Sequence, residues 1–341
     1  MSALHQLTLA KLRELFREPE ALFWVFVFPV LLALALGIAF RSGGTEKLPV
    51  GVQDGDGAGW LVEALSGAPE LEPRRLDAET ARRDLSTGKV AIVVIPGEPW
   101  TYWLDPTRPD SRMAELTVND VLQRAAGRQD ARPAERREMI EKGSRYIDFL
   151  IPGLLGMNLM GTGMWGIGFY IVNARSGKLL RRLVATPMRR SDYLLSQIGG
   201  RLVFLIFEVG VLLAFAQLAF DVPMRGSVAA IATISVLGAL TFGGMGLLVA
   251  SRARTVEGVS GLMNFVMMPM WICSGTFFST ARFPDAAQPF VQALPLTAVN
   301  NALRAVMLEG QSLASVWGEI GITAAWGAVS FAVALALFRW S

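Results

Sequence analysis

Residues 21–40 read ALFWVFVFPVLLALALGIAF, an apolar run without a charged side chain, and this run decides the class of fold. An α-helix rises about 1.5 Å per residue, so about 20 apolar residues cross the hydrocarbon core of a bilayer. Further runs of this kind lie at 149–174, 193–220, 226–251, 258–281 and 320–338. Of these, only 193–220 is interrupted by charges, at Arg201 and Glu208. The sequence therefore predicts an α-helical polytopic membrane protein with six transmembrane helices.

The composition indicates that this membrane protein carries one soluble insert. Hydrophobic residues make up 52% of the chain and charged residues 18%. Residues 41–146 hold 16 of the 32 Lys and Arg and 18 of the 29 Asp and Glu. The rest of the chain has too few charges to solvate a globule. The single Cys and single His exclude an internal disulfide and a Cys-based metal site, and they argue against His-based catalysis.

The distribution of Lys and Arg over the short loops predicts the orientation. With a cytoplasmic N-terminus, the cytoplasmic segments hold twelve basic residues and the short outer loops hold three. Cytoplasmic loops are enriched in Lys and Arg, whereas long domains cross the membrane largely regardless of charge. Both termini are therefore expected in the cytoplasm, and the insert at 41–146 is expected outside.

The insert is predicted to form a small extracytoplasmic α/β domain after the first span. Strand-like segments lie at 48–54, 71–77, 89–97 and 100–106, and helical patterns at 59–67, 78–88 and 111–142. The clearest strand signal is the run of β-branched residues from Ile92 to Ile95. The domain is followed by the five remaining membrane helices, in residues 147–341.

Two segments are predicted to lie at the membrane surface. Residues 1–20 have the pattern of an interfacial amphipathic helix, although a cytosolic tail helix would have the same pattern. Residues 282–310 show apolar residues at helical spacing, broken upstream by Pro289 and Pro295. This segment is too short and too interrupted to span, so an outer re-entrant or interfacial helix fits it better.

Motifs for catalysis or nucleotide binding are missing from the sequence. A P-loop requires G-x-x-x-x-G-K-[ST], and the near match at Ser176–Gly177–Lys178 continues with Leu179 where Ser or Thr must stand. Neither a nucleophile elbow nor an H-E-x-x-H motif occurs. We therefore predict no catalytic residue, no metal site and no cofactor bound by this chain.

Two charges inside the third span are candidate functional groups. Arg201 and Glu208 are seven residues apart, which places them on one helix face about 10 Å apart along the axis. Ionisable groups inside a membrane are expensive and mark functional sites by default. Three interpretations stay open for Glu208: a structural pairing, a contact with substrate or gate, and proton coupling.

The composition of two spans suggests a substrate path. The second span contains six glycines, and the fifth is rich in methionine, whose flexible thioether adapts to varied apolar ligands. The predicted path residues are Asn158, Glu208, Asn264, Met267, Met268 and Trp271. The alternative, that these glycines and methionines only pack helices, also stays open.

Three segments carry a resemblance to a known family. The loop NARSGKLLRRLVATPMRRSDYLLSQIGGRL at 173–202 resembles the cytoplasmic loop of ABC-2 type exporter permeases, with an LxxLxxTP core. FREPEALFWVFVFPVLL at 16–32 is similar to the family's entry into its first span. MPMWICSGTFFSTARFPDAAQPFVQALPLTAVNNALRAV at 268–306 resembles its fifth span and outer loop. Because these matches lie at both ends of the six-span pattern, the resemblance extends over the whole membrane part.

The resemblance implies a division of labour with other subunits. Such permeases form dimers in a bacterial cytoplasmic membrane and recruit two copies of a separate cytosolic ATPase, which binds ATP and magnesium. The loop at 173–193 would then be the coupling loop. The residues expected to contact the ATPase are Lys178, Leu180, Arg181, Arg182, Leu183, Thr186, Pro187, Arg252 and Arg254. Basic charge at these positions is also explained by positive-inside anchoring alone.

The expected function is that of the permease subunit of an ATP-driven exporter. The large domain after the first span is similar to the branch of the family associated with drug, peptide, lipid-linked or ion export. A hydrophobic or amphipathic substrate is therefore expected, with sodium export as an alternative. A different class is a sensory or scaffold protein whose outer domain binds a ligand. A proton- or sodium-driven transporter fits less well because the spans hold one acid, and no nucleic-acid partner is expected.

Overall fold

A computed structural model describes residues 17, 19–40, 47–129, 132, 143–176, 190–253 and 255–337. The chain divides into two compact units. One unit comprises Met1–Arg41 and Ile140–Ser341, and the other comprises Ser42–Met139. The predicted interfacial helix at 1–20 lies almost entirely outside the described residues, so it stays a prediction.

The first unit begins with a helix in three parts. Helix α1 (Pro19–Leu22) continues into a π-helical segment (Phe23–Val27) and then into α2 (Phe28–Ala39). The apolar stretch Phe23–Ala39 is shorter than the other membrane helices. Pro29 lies just after the π-helical segment, and proline lacks the N–H that a regular helix needs. The span expected at 21–40 is therefore helical, with a π-helical segment in its first half.

The second unit contains one four-stranded sheet in the order β2-β1-β3-β4. Its strands are β1 (Leu48–Gln53), β2 (Leu71–Leu76), β3 (Ile92–Ile95) and β4 (Thr101–Leu104). Strand β1 runs parallel to β2 and β3, and β4 pairs antiparallel with β3. All four strands fall within the segments that the sequence predicted.

Helices cover both faces of this sheet. Helices α3 (Ala58–Ser66) and α5 (Pro109–Ala125) share one apolar core with alternate strand residues, and α4 (Ala78–Ser86) closes a smaller core on the other face. Because β3 is buried on both faces, its apolar residues are consecutive rather than alternating. The N-terminus of α4 is capped by Asp77, whose carboxylate accepts from the backbone N–H of Thr80 at 2.9 Å.

The predicted long helix at 111–142 is wrong in its extent. Helix α5 ends at Ala125, and Gly127 has a φ of 98°. The Gly127 N–H donates to the Arg124 carbonyl and the Arg128 N–H donates to the Gln123 carbonyl, which is the pattern of a Schellman motif. Glycine adopts this left-handed conformation without steric cost, so the helix stops there.

The remaining helices belong to the first unit. They are α6 (Tyr146–Ser176), α7 (Arg190–Phe220), α8 (Val228–Arg252), α9 (Val256–Cys273), α10 (Gln288–Ala293), α11 (Pro295–Glu309) and α12 (Trp317–Leu337). Five described helices are long and apolar enough to cross a membrane, within α6, α7, α8, α9 and α12. With the shorter stretch Phe23–Ala39, this is the architecture of a polytopic membrane protein.

The fifth predicted span is also shorter than expected. The run at 258–281 predicted a helix to residue 281, but α9 ends at Cys273. Gly275 has a φ of 69°, and residues Ser274, Gly275 and Thr276 are buried without continuing the helix. Two short 3₁₀ turns, α10 and α11 follow. Helix α11 has 15 residues, about 22 Å, which is too short to cross the hydrocarbon core.

Helix α6 occupies the centre of the first unit. In the most apolar 18-residue stretch of α6, 83% of the residues are buried, against 22% in the corresponding stretches of α9 and of α12. Glycines allow the close approach of α6 and α8: a Cβ on Gly163 would lie 2.8 Å from the Cβ of Phe242, and one on Gly246 would lie 2.6 Å from the Met164 carbonyl. Small residues promote such packing in lipid, which supports the packing interpretation for these positions.

Candidate functional site

Helices α6 and α7 bring a set of polar groups together between apolar surfaces. We call Val25, Asn158, Thr162, Arg201 and Glu208 the membrane polar cluster, with Val25 contributing only its carbonyl. The Glu208 side chain is completely buried and that of Arg201 is 12% exposed. Nη1 of Arg201 donates to Oε2 of Glu208 at 2.8 Å. The two charges that the sequence placed on one face of a helix therefore form an ion pair.

Thr162 on α6 ties this ion pair to the neighbouring helix. Its Oγ1 lies 3.0 Å and 3.2 Å from the two carboxylate oxygens of Glu208, and it accepts a hydrogen bond from Nη2 of Arg201. The same Oγ1 lies 2.8 Å from the carbonyl oxygen of Asn158. A threonine hydroxyl has one proton, so it donates either to the carboxylate or to the Asn158 carbonyl at any moment.

Asn158 connects the second span to the first. It is 7% exposed, and its Nδ2 donates to the carbonyl oxygen of Val25 at 3.0 Å. Val25 lies in the π-helical segment. A residue predicted for the substrate path thus bonds to the backbone of another helix.

The environment of the cluster makes its charges interdependent. Arg201 also lies near the Phe204 ring, with Cζ 5.9 Å from the centroid, a distance at which a cation is attracted to the ring face. Separating two buried charges is costly, because the partner left behind is neither solvated nor paired. Within the described residues, the carboxylate of Glu208 is therefore already compensated by Arg201 and Thr162.

The path residues predicted on α9 do not share one face. Met263, Met267 and Met270 are buried on the inner side of the helix. Asn264 is exposed and Met268 is 56% exposed, whereas Trp271 is half-buried. Adjacent residues on a helix are about 100° apart, so Met267 and Met268 point in different directions. Within one chain, the structure therefore does not bring the six predicted path residues together.

Most residues predicted for the ATPase contact lie outside the described part of the chain. These are Lys178, Leu180, Arg181, Arg182, Leu183, Thr186, Pro187 and Arg254. Arg252 is described, and it is exposed in the last turn of α8. The coupling loop therefore stays a prediction.

A second polar centre, which the sequence analysis did not identify, surrounds Arg304 on α11. Its guanidinium Cζ lies 3.8 Å from the centroid of the Phe149 ring, its Nε donates to the Phe149 carbonyl at 3.2 Å, and its Nη2 donates to the Gly275 carbonyl. Burial lowers the pKa of Arg304 to about 10, so the side chain stays protonated at neutral pH. Arg304 thereby attaches the turn after α9 to α6.

Asn300 extends this centre one turn earlier on α11. The residue is completely buried, and its Nδ2 donates to the Ser274 carbonyl at 2.9 Å and to Thr276 Oγ1 at 3.2 Å. Gly156 on α6 leaves the space that the Asn300 amide occupies. The i, i+4 spacing of Asn300 and Arg304 was the available sequence signal, but Arg304 entered the sequence analysis only as one of the three basic residues of the short outer loops.

The N-terminus of α6 is closed by a buried carboxylate. Asp148 has a fully buried side chain and accepts from the backbone N–H groups of Gly143 and Arg145 at 3.0 Å and 3.1 Å. Arg145 Nη2 donates to Asp148 Oδ1 at 2.7 Å, and this hydrogen bond raises the pKa of Arg145. Among the described residues, no three His, Cys, Asp or Glu side chains are grouped to hold a metal ion.

The membrane helices around a buried polar cluster define a polytopic membrane protein, and comparison with known proteins gives its family. Residues 19–336 match the model of the ABC-2 family of transporter proteins. The chain belongs to the ABC-2 transporter family. The resemblance carried by the three sequence segments is thereby confirmed.

Several curated relatives are similar over part of their length. The chain is 29% identical over 185 residues to ABC transporter G family member 20 of Dictyostelium discoideum, covering 54% of this chain and 25% of that protein. It is 28% identical over 153 residues to the inner membrane transport permease YadH of Escherichia coli, covering 45% and 57%. It is 25% identical over 176 residues to the linearmycin resistance permease protein LnrN of Bacillus subtilis, covering 52% and 46%. The chain thus spans between a quarter and just over half of these three relatives.

Proposed function

We propose that this chain is the membrane permease of an ABC exporter, which moves a hydrophobic or amphipathic substrate outward while a separate cytosolic subunit hydrolyses ATP. The observation that carries the proposal is the family match over residues 19–336, which takes in all the described membrane helices except the last residue of α12. The cytoplasmic membrane of a bacterium is the proposed location, with six spans, both termini inside and Ser42–Met139 outside. The excess of Lys and Arg in the segments expected inside supports this orientation.

The proposed partners are a second copy of the chain and two copies of a cytosolic ABC ATPase. ATP and magnesium would bind to the ATPase, not to this chain. Leu180 and Leu183 are suited to be the apolar anchors of the contact, because anchors in a groove supply most of the affinity of an interface. Arg181 and Arg182 would lie at the rim, where charges mainly tune the rate and specificity of association.

The exposed face of α9 supports an apolar or amphipathic substrate. This face carries Phe265, Met268 and Ile272, which are 77%, 56% and 52% exposed. Asn264 is exposed among them, and an amide that faces only lipid would lack hydrogen-bond partners. We propose that the face lines the path between two copies, where methionine adapts to varied ligands. The relative LnrN is, by its name, a linearmycin resistance permease protein, which agrees with the proposed role of a permease.

Transport by a reconstituted complex tests the proposal. The chain would be purified with an ABC ATPase that co-purifies with it and reconstituted into proteoliposomes. Rhodamine 6G, a fluorescent phospholipid and a labelled hydrophobic peptide would serve as probes for the three substrate types. We expect ATP-dependent movement of at least one probe, and none with an ATPase that cannot hydrolyse ATP. ATP hydrolysis with movement of sodium alone would overturn the substrate class, and hydrolysis with no movement of any of these would overturn export.

A further inference from the structure

The first span contains a break at which the Val25 carbonyl loses its regular partner. In a regular α-helix the carbonyl of Val25 accepts from the N–H of residue 29. That residue is Pro29, which has no N–H. The helix around Val25 is π-helical from Phe23 to Val27, and the Phe28 N–H donates to the Phe23 carbonyl. Short π segments of this kind are frequent at functional sites, and prolines and π segments are where helices kink.

The missing donor is replaced by a side chain from another helix. Nδ2 of Asn158 lies 3.0 Å from the Val25 carbonyl oxygen, and Asn158 is 7% exposed. Asn158 lies on α6, the most deeply buried of the membrane helices. In lipid, a carbonyl without a donor is costly, and neighbouring helices are a known source of replacement donors at proline breaks.

The same residue is bonded to the ion pair on α7. The backbone carbonyl of Asn158 lies 2.8 Å from Thr162 Oγ1, which contacts both Arg201 and Glu208. When the Thr162 hydroxyl donates to the Asn158 carbonyl, a continuous series of hydrogen bonds joins the first, second and third membrane helices. A second contact holds the π-helical segment against α7. The rings of Phe26 and Phe204 pack edge to face, with their centroids 5.2 Å apart.

We propose that the π-helical segment and Pro29 form a hinge in the first span. The hydrogen bond from Asn158 Nδ2 to the Val25 carbonyl, which we call the catch, holds this hinge in the conformation seen here. With the bond made, Pro19–Val27 is fixed against α6. With the bond broken, the first helix can bend at Pro29, because no backbone bond from residue 29 resists the motion. Asn158 acts as a positioning residue in this proposal rather than as a substrate contact.

The proposal predicts that replacing the proline removes the need for the asparagine. Pro29→Ala supplies an N–H at residue 29, which lets the segment return to regular α-helical bonding with the Val25 carbonyl, so Asn158 becomes dispensable. In the otherwise unchanged chain, Asn158→Leu should raise the unfolding equilibrium constant by roughly tenfold, the size expected for a buried carbonyl left without a donor. In the Pro29→Ala background the same change should raise it less than about twofold.

A matched proline provides the control for this double-mutant cycle. Pro269 also lies inside a membrane helix, but the Asn158 side chain bonds to the break at Pro29. The effects of Pro269→Ala and Asn158→Leu should therefore add. Asn158→Ser, whose shorter side chain cannot span the distance, would provide a second, milder variant.

Equal effects of the Asn158 changes with and without Pro29→Ala would overturn the catch. If the Asn158→Leu variant by itself is not recovered from membranes, recovery of the double variant Asn158→Leu with Pro29→Ala supports the catch, and failure to recover either variant overturns it.

The hinge itself is tested by transport, and this part rests on the proposed function. A complex whose first helix is stiffened by Pro29→Ala should transport the probe about fivefold more slowly than the unchanged complex. The free energy of unfolding should not fall. An unchanged transport rate would overturn the hinge but not the catch. If the unchanged complex moves no probe, the proposed function fails, whereas the stability cycle still decides the catch.

Discussion

Arg201 and Glu208 lie two helical turns apart on α7 and meet at 2.8 Å between Nη1 and Oε2. The pair is buried among apolar helices, and the hydroxyl of Thr162 from α6 touches both partners. In such surroundings each charge depends on the other for compensation. The pair therefore couples the position of α7 to that of α6.

The first prediction concerns this ion pair. Glu208→Leu or Arg201→Leu alone should lower the free energy of unfolding by about 3–5 kcal/mol, because either change leaves a buried charge unpaired. The double variant should recover much of that loss, since an apolar pair needs no compensation. Unfolding of the purified chain in detergent, followed by circular dichroism, measures all three. Additive losses in the double variant would contradict the interpretation.

The second prediction concerns the hydroxyl of Thr162. Thr162→Val keeps the shape and removes the hydrogen bonds, so it should lower the free energy of unfolding by about 1 kcal/mol. Thr162→Ser keeps the hydroxyl and should lose less than the valine variant. Thr233 also bonds back to its own helix, at 2.8 Å from the Ala229 carbonyl, but it is exposed. Thr233→Val is therefore the control, and a loss there as large as at Thr162 would remove the special role of the cluster.

The third prediction tests the orientation. In a Cys273→Ala background, a cysteine at Met113, which is 62% exposed on α5, should react with an impermeant thiol reagent in intact cells. A cysteine at Ser176 should react only after the cells are opened, because the segment that follows it carries the basic residues expected inside. Mass-tagging on a gel reports both. The reverse labelling pattern would place the insert in the cytoplasm.

The fourth prediction tests the contact with the ATPase. Leu183→Asp should abolish co-purification of the ATPase, because a charge cannot fill an apolar groove in the partner. The permease itself should still be recovered from membranes. Leu116→Asp, at a residue on α5 that is 73% exposed, is the same change in the other unit and should leave the complex intact. Full recovery of ATPase with the Leu183 variant would exclude the proposed docking site.

The fifth prediction separates the two neighbouring methionines of α9. Met267 is completely buried, so Met267→Trp should overpack the contact with α6 and lower the free energy of unfolding by about 1–3 kcal/mol. Met268 is exposed, so Met268→Trp should leave stability unchanged and slow transport by narrowing the proposed path. Unfolding and probe transport are measured on both variants. Transport at the normal rate with Trp at Met268 would place the path elsewhere.

Several features of the insert were available from the sequence because they depend on local structure. The strand at Ile92–Ile95 follows from a run of β-branched residues, and the end of α3 was predicted at Gly67. The stop of α5 before Gly127 was also readable, since glycine is the usual residue at a helix C-terminus. The prediction of one helix over 111–142 was wrong because it extended the helix through a charged segment and ignored Gly127 as a stop signal.

Hydropathy located the membrane helices but not all of their ends, because transfer into lipid is a property of each residue along about 20 positions. The family resemblance, likewise, lay in short motifs of the linear chain. Which side chains meet was decided only by the tertiary structure. Hydropathy does not specify the rotation of each helix about its axis, and that rotation turns Met267 inward and Met268 outward. The pairing of Asn158 with the Val25 carbonyl joins residues 133 positions apart, and it exists because a proline break in one helix packs against an amide of another.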